Sequence, residues 1–273
     1  LQGRIVSTRS HESVLEEAKA ITAMPNFKGY IHDIGGPTAN FRAPSCQKQL
    51  EHGLCKGKKC LAPEPCKALE VDHTEYLNLL RKIRAVPKVK KVFIRSGVRF
   101  DYLMADSSDA FFYKLVKDHV SGQLKVAPEH TSDAVLHVMR KPPFAQFYEF
   151  KKTFDRLNKE LNLRQQLIPY FISSHPGCTA EDMAELAVIT KRLDFHLEQV
   201  QDFTPTPMTV ATEAWYTGYH PYTLQPIFSA KTQREKLAQR MFFFWYKPEE
   251  RRAIIQELKR MGRSDLIDKL YGR

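Results

Sequence analysis

No apolar run in these 273 residues approaches the roughly 20 residues that a membrane-spanning helix needs. The opening segment LQGRIVSTRS has no apolar centre of the kind a secretory signal carries. A membrane role is therefore not expected, and a cytoplasmic setting is. There is no C-x2-C pair, the usual half of a zinc knuckle, although the chain has five cysteines. Internal repeats and low-complexity tracts are missing too. Hydrophobic residues make up 42% and charged residues 27%, so an ordinary globular core is expected.

Acid is the scarcer charge. Against 42 Lys and Arg stand 31 Asp and Glu, a net charge of +11. The stretch from Lys231 to Arg263 alone has ten basic and four acidic residues. Such a balance suits nucleic acid, phosphates or an acidic partner, and equally a solvated helical face.

The hydrophobic pattern alternates between helix and strand periods. TRSHESVLEEAKAITAM reads as a helix with Ser10 as N-cap and Val14, Ala18 and Ile21 on one face. VDHTEYLNLLRKIRAV reads as a helix opened by a capping box of Asp72 and Glu75. Helices are also expected in SSDAFFYKLVKDHV, TSDAVLHVMR, QFYEFKKTFDRLNKEL and TAEDMAELAVITKRL, the last capped by Thr179. Strands are expected in GYIHDIGG, KVFIRSG, QLKVAPEH, QLIPYFISSHPG and FHLEQVQDFTPTP. Repeated β-α units predict a parallel sheet or barrel. Most units repeat at 30 to 45 residues, but the first two strands are about 60 apart. The excess is residues 41–69, a proline-bearing insertion with little periodicity. Beyond residue 207 the chain becomes aromatic and then basic and helical, so 1–207 and 208–273 are expected to be distinct regions. The aromatic run Phe242–Tyr246 reads as a docking face.

Each predicted strand ends polar: Asp33; Arg95 and Ser96; Glu129 and His130; Ser173, Ser174 and His175; Gln199, Gln201 and Asp202. In β/α barrels the active site is built at those ends. Gly35 and Gly36 let a ligand approach the backbone, or simply make a tight turn. Cys46, Cys55, Cys60 and Cys66 follow within 21 residues with spacing C-x8-C-x4-C-x5-C. Four thiolates can hold zinc or an iron–sulfur cluster, with disulfides and free thiols as the alternatives. His52 and His73 are substitute ligands.

The motifs DIGGPTAN, SGVRFDY, LKVAPEHT, IPYFISSHPG and QVQDFTPTP, in this order and with the four-cysteine loop, resemble the YgiQ family of radical S-adenosylmethionine (SAM) proteins over essentially all of the chain. The resemblance implies an incomplete radical-SAM-type (β/α) barrel lacking its first strand, with the cysteine-rich insertion and a C-terminal helical extension. In that family a C-x3-C-x2-C loop holding the 4Fe–4S cluster precedes a segment like QGRIVSTRS, and an N-terminal domain resembles a cobalamin-binding fold. The chain, which begins at Leu1, is therefore expected to follow that loop, and by itself to be inactive and to bind SAM weakly.

The resemblance also implies site roles. Gly35 and Gly36 match the motif meeting the methionine end of SAM. Ser96 and Glu129 fall at ribose and methionine contacts, and Gln199 borders adenine. No glutamate follows the glycine pair, unlike the common Gly-Gly-Glu pattern. Cys46, Cys55, Cys60 and Cys66 are implied ligands of an auxiliary iron–sulfur cluster or zinc. The expected function is reductive SAM cleavage acting on an unknown substrate, with RNA or a ribosomal component as the suggested class. The alternative is a non-catalytic, metal-stapled nucleic-acid-binding module.

Overall fold

The computed structural model describes residues 6–36, 38–57, 59–198 and 200–272. Twelve α-helices and five strands are found among them. In chain order these are α1 (His11–Thr22), β1 (Tyr30–Ile31), α2 (Gln47–His52), α3 (Thr74–Arg84), β2 (Lys91–Val92), α4 (Phe100–Met104) and α5 (Ala110–Lys114). There follow β3 (Gln123–Glu129), α6 (Asp133–Met139), α7 (Phe144–Glu160), β4 (Gln166–Ser173), α8 (Ala180–Arg192) and β5 (Val200–Asp202). The chain ends in α9 (Val210–Thr217), α10 (Gln233–Arg240), α11 (Pro248–Arg260) and α12 (Asp265–Tyr271).

The class is α/β with parallel pairing, and among the described residues no closed barrel forms. β1 and β2 make one parallel pair, in register Tyr30 to Lys91 and Ile31 to Val92. β3, β4 and β5 make a second sheet in that order. β4 pairs β5 in parallel from Phe171–Val200 to Ser173–Asp202. A single parallel bridge joins Val98 to Val126. Two residues of ladder in β1 and in β2 are too few to carry one continuous sheet around a barrel.

Two compact units result. One runs to Ala127 and resumes at Ala145–Ile168; the other is Pro128–Phe144 with the chain from Pro169 onward. The division falls within β3 and β4.

The first unit is held by an aromatic core. Phe111 and Phe112 of α5 and Phe147, Phe150 and Phe154 of α7 are all nearly or wholly buried. Phe150 stacks on Phe112 with centroids 5.1 Å apart. A turn of π-helix, Leu115–His119, ends α5 and buries Leu115, Val116 and His119. Helix α1 starts at Ser10 as expected, whose hydroxyl accepts the Ser13 N–H. α3 does not have the expected capping box. Asp72 instead accepts the Thr74 N–H at 2.7 Å, and Glu75 turns away to Arg42 and His11. An arginine at bidentate range outcompetes a backbone amide for that carboxylate.

In the second unit the C-terminal helices pack on α8. Thr179 and Asp182 form the capping box that opens α8. Pro169 lies within β4 without ending it. Of the aromatic run, Phe242 and Phe243 are fully buried, and Phe244, Trp245 and Tyr246 are half-buried. Trp245 donates its indole N–H to the Thr190 hydroxyl at 3.2 Å. Gln239, also buried, accepts the Ser174 N–H at 2.7 Å and donates to the Cys178 carbonyl at 2.8 Å. Among the described residues no helix is long and apolar enough to cross a membrane.

Candidate functional site

In the first unit the parallel ladder of β1 and β2 continues past the strands. The Phe93 N–H donates to Ile31 at 2.9 Å and the Ile34 N–H to Phe93 at 3.0 Å. This continuation brings Asp33 beside Ser96. The Asp33 carboxylate accepts the Arg95 N–H at 2.9 Å, the Ser96 N–H at 3.1 Å and the Ser96 hydroxyl. Asn40 fixes the next turn, accepting the Arg99 N–H at 2.8 Å and donating to the Arg99 carbonyl at 3.1 Å. The Tyr76 hydroxyl donates to the Ile34 carbonyl, and burial pushes that phenol well above its ordinary range.

The two glycines differ. A Cβ on Gly35 would lie 2.8 Å from both Cβ and Oγ of Ser96 and 3.1 Å from the Ala39 Cβ. Gly35 is therefore required for the approach of the two strand ends, whatever else it does. A Cβ on Gly36 would meet nothing within 4 Å. Both line a cavity of about 380 Å³ with Asp33, Arg42, Glu17 and Tyr76. Arg42, in its wall, binds Glu75 through two nitrogens at 2.9 and 3.0 Å, and His11, which does not line the cavity, meets the same carboxylate at 2.8 Å. Burial would raise Glu75, but the hydrogen bonds from Arg42 and His11 together hold it below the usual carboxylate range.

Of the expected SAM contacts, Gly35 and Gly36 line this cavity, and Ser96 packs against Gly35 without being among the lining residues. Glu129 belongs to the second unit. Its backbone is left-handed, with φ of 69°, and Ser174 at the end of neighbouring β4 has φ of 62°. Left-handed non-glycine residues are strained and concentrate at functional sites. Lys141 pairs with Glu129 Oε1 at 3.0 Å. Glu129 Oε2, the Thr131 hydroxyl and the Ser174 hydroxyl are buried with no hydrogen-bond partner among the described residues. Thr131 is a residue that the strand-end reading overlooked. Gln199 lies outside the described residues.

Other polar strand ends serve the interior. His130 is fully buried. Its Nδ1 accepts the Ser132 N–H at 2.9 Å, so Nε2 carries the proton and faces Met183 Sδ at 3.3 Å and Cys178 Sγ at 3.4 Å. Desolvation pushes His130 and His175 down to about 4 and raises the Cys178 thiol strongly. Ser173 donates to Asp202 at 2.6 Å, and Arg240 pairs with the same carboxylate at 3.2 Å.

All four clustered cysteines are free. Cys46 takes the N-cap position of α2 without a side-chain capping bond, and the Gln49 amide reaches Cys60 Sγ at 3.7 Å. The Cys66 N–H donates to the Cys60 carbonyl at 2.8 Å. Burial raises the Cys60 thiol first, and the nearby thiols of Cys66, Cys55 and Cys46 add to it. Among the described residues no three His, Cys, Asp or Glu side chains stand as a ready-made metal-ligand group.

The suggested substitutes do not join the cysteines. His52 is exposed beside Glu51 at 3.7 Å. His73 is buried, with Nδ1 at 2.6 Å from Asp106 and Nε2 accepting from the Asn40 amide at 3.2 Å. Both ring nitrogens are committed, and burial lowers its pKa despite Asp106. No sequence motif signalled the Asn40–His73–Asp106 chain, whose members are 33 residues apart at each step.

Comparison with known proteins places this geometry in context. Residues 198–270 match the model of a domain of unknown function, DUF3362. The chain is similar over its whole length to a UPF0313 protein of Bacteroides thetaiotaomicron (61% identity) and to one of Porphyromonas gingivalis (57%), covering 45% and 44% of those proteins. A UPF0313 protein of Clostridium perfringens is 52% identical over 97% of the chain and 40% of its own length. The chain thus spans less than half the length of these relatives, all UPF0313 proteins, and UPF0313 is the YgiQ family.

Proposed function

We propose that this chain is the part of a radical SAM enzyme that follows the cluster-binding loop, and that the Asp33–Gly36 loop with Ser96 receives SAM. The observation that carries the reading is the asymmetry of the glycine pair. Gly35 is needed to join the strand ends, whereas Gly36 has open space and lines the cavity of about 380 Å³. A backbone bare of side chain at the C-terminal end of parallel strands suits a ligand that lies against it.

The chain's own residues then divide the work. Asp33 already accepts three hydrogen bonds, so it positions the Ser96 turn. Ser96 spends its proton on Asp33 and keeps lone pairs to accept from a ligand hydroxyl. In the second unit Glu129 pairs with Lys141 through one oxygen and has no partner for the other among the described residues, leaving an acceptor for a hydroxyl or ammonium. A 4Fe–4S cluster bound by residues outside this chain would supply the electron for SAM cleavage. Five free cysteines suit a reducing, cytoplasmic setting. The test is anaerobic reconstitution of the full-length Bacteroides relative, followed by assay of 5′-deoxyadenosine formed from SAM.

A second reading, a nucleic-acid-binding role, is favoured by one surface feature. Tyr216, Tyr219 and Tyr222 are exposed. Lys231 donates to the Tyr216 carbonyl at 3.0 Å, and the Arg140 guanidinium lies 4.4 Å from the Tyr222 ring centre. Exposed rings between cations suit stacked bases and phosphates. Loss of single-stranded RNA binding in Tyr219→Ala and Tyr222→Ala, measured by fluorescence anisotropy, would support it.

A further inference from the structure

The described residues from Cys46 to Cys60 fold without a core. They include helix α2 and several turns, yet none of them is buried. Leu50 points to solvent at 59% exposure. The apolar cluster of Leu61, Val71 and Tyr102, with Phe41 and Leu69, takes in the two roots of the insertion and reaches the cysteine span at Leu61, after Cys60. At the roots the Glu70 N–H also donates to Ser45 at 2.7 Å and closes the loop. Above that closure the contacts that join distant positions converge on the cysteines: Gln49 to Cys60, and Cys66 to Cys60. A segment with no fully buried residue needs a staple to hold one shape.

We propose that Cys46, Cys55, Cys60 and Cys66 bind one zinc ion, which replaces a hydrophobic core for the insertion. The proposal goes beyond SAM chemistry and does not depend on it. Four thiols lose four protons to solvent on binding one dication, leaving a net charge of −2 at the site. Lys48, Lys56, Lys59 and Lys67 are exposed around the four positions and offset that charge. Metal sites of this kind close as the ion enters, since ligands must deprotonate and a preformed cage of bare thiolates is rare. The ligand set is entirely sulfur, which fits zinc and iron–sulfur clusters alike. Cys55 and Cys66 are exposed, so the metal faces water, where zinc has no redox chemistry to be disturbed.

The experiment uses the full 273-residue chain, purified anaerobically. Elemental analysis is expected to find about one zinc per chain, with His52→Ala unchanged and Cys55→Ser and Cys60→Ser each at least tenfold lower. A readout free of folding effects in variants comes from the parent. The metal-depleted chain should be cut by trypsin at Lys56, Lys59 or Lys67 at least tenfold faster, and zinc should restore resistance. Cobalt added to the depleted chain should give the intense thiolate absorption of a four-sulfur site. Iron with acid-labile sulfide in place of zinc would overturn the assignment. So would equal zinc in parent and Cys variants, disulfides among the four cysteines, or trypsin resistance that zinc does not change.

Discussion

A Cβ built on Gly35 falls 2.8 Å from the Cβ of Ser96, closer than real side chains come. The two strand ends can meet only because one of them has no side chain at this point. Gly35→Ala should therefore destabilise the first unit by about 1–3 kcal/mol, the range for overpacking. Gly36→Ala should change stability by no more than about 0.5 kcal/mol. Urea denaturation of both variants beside the parent checks the contrast. Ser96→Gly in the Gly35→Ala background should recover part of the loss.

The buried chain from Asn40 through His73 to Asp106 ties the root of the insertion to the helices beneath it. Asp106→Ala leaves the His73 Nδ1–H without an acceptor in a buried site, at a cost of about 1–3 kcal/mol. The melting temperature should fall accordingly, and hydrogen exchange should rise at residues 70–76. Asp106→Asn keeps an acceptor and should lose less. Equal losses in the two variants would show that the hydrogen bond is not the cause.

His130 and His175 predict a pH dependence for the second unit. Their folded pKa values of about 4 lie below the ordinary 6.5. Between those limits the unfolded chain binds more protons, so stability falls as pH drops from 6.5 toward 4, and flattens below. Above 6.5 the two groups contribute no pH dependence. Each accounts for roughly 3 kcal/mol across the window. Denaturation midpoints at pH 7 and pH 4.5 test this, and His130→Gln should lose part of the difference.

Much of this was legible beforehand. The helix and strand periods, the Ser10 and Thr179 caps and the glycine pair all depend on residues close in sequence, where spacing carries the information. The extent of the sheets was less legible, because ladder length is decided by pairing between distant segments: β1 and β2 pair over two residues only. The Asp72–Glu75 capping box failed for a related reason. Glu75 met Arg42, 33 residues away, and no local rule anticipates that contact. His130 read as a strand-end polar group yet fills the interior, since alternation tells which face a residue takes and not what covers it. The division of labour between Gly35 and Gly36 needed the position of Ser96.

SAM binding by this chain alone should be weak. Hydrogen bonds worth roughly 0.5–1.5 kcal/mol each do not offset the several kcal/mol lost on association without an iron anchor. Calorimetry should find a Kd well above the low micromolar range, about −8 kcal/mol, for the 273-residue chain. Low-micromolar binding would show that the loop suffices by itself.

The most direct test is made on the full-length Bacteroides relative, reconstituted anaerobically with iron and sulfide and given SAM and a reductant. The positions equivalent to Gly36 and Ser96 are changed to Val and Ala in separate variants. The reading predicts 5′-deoxyadenosine from the parent, and at least tenfold less from the Gly36→Val equivalent with cluster content unchanged. Absence of 5′-deoxyadenosine from a fully loaded parent, or equal amounts from parent and both variants, would contradict it.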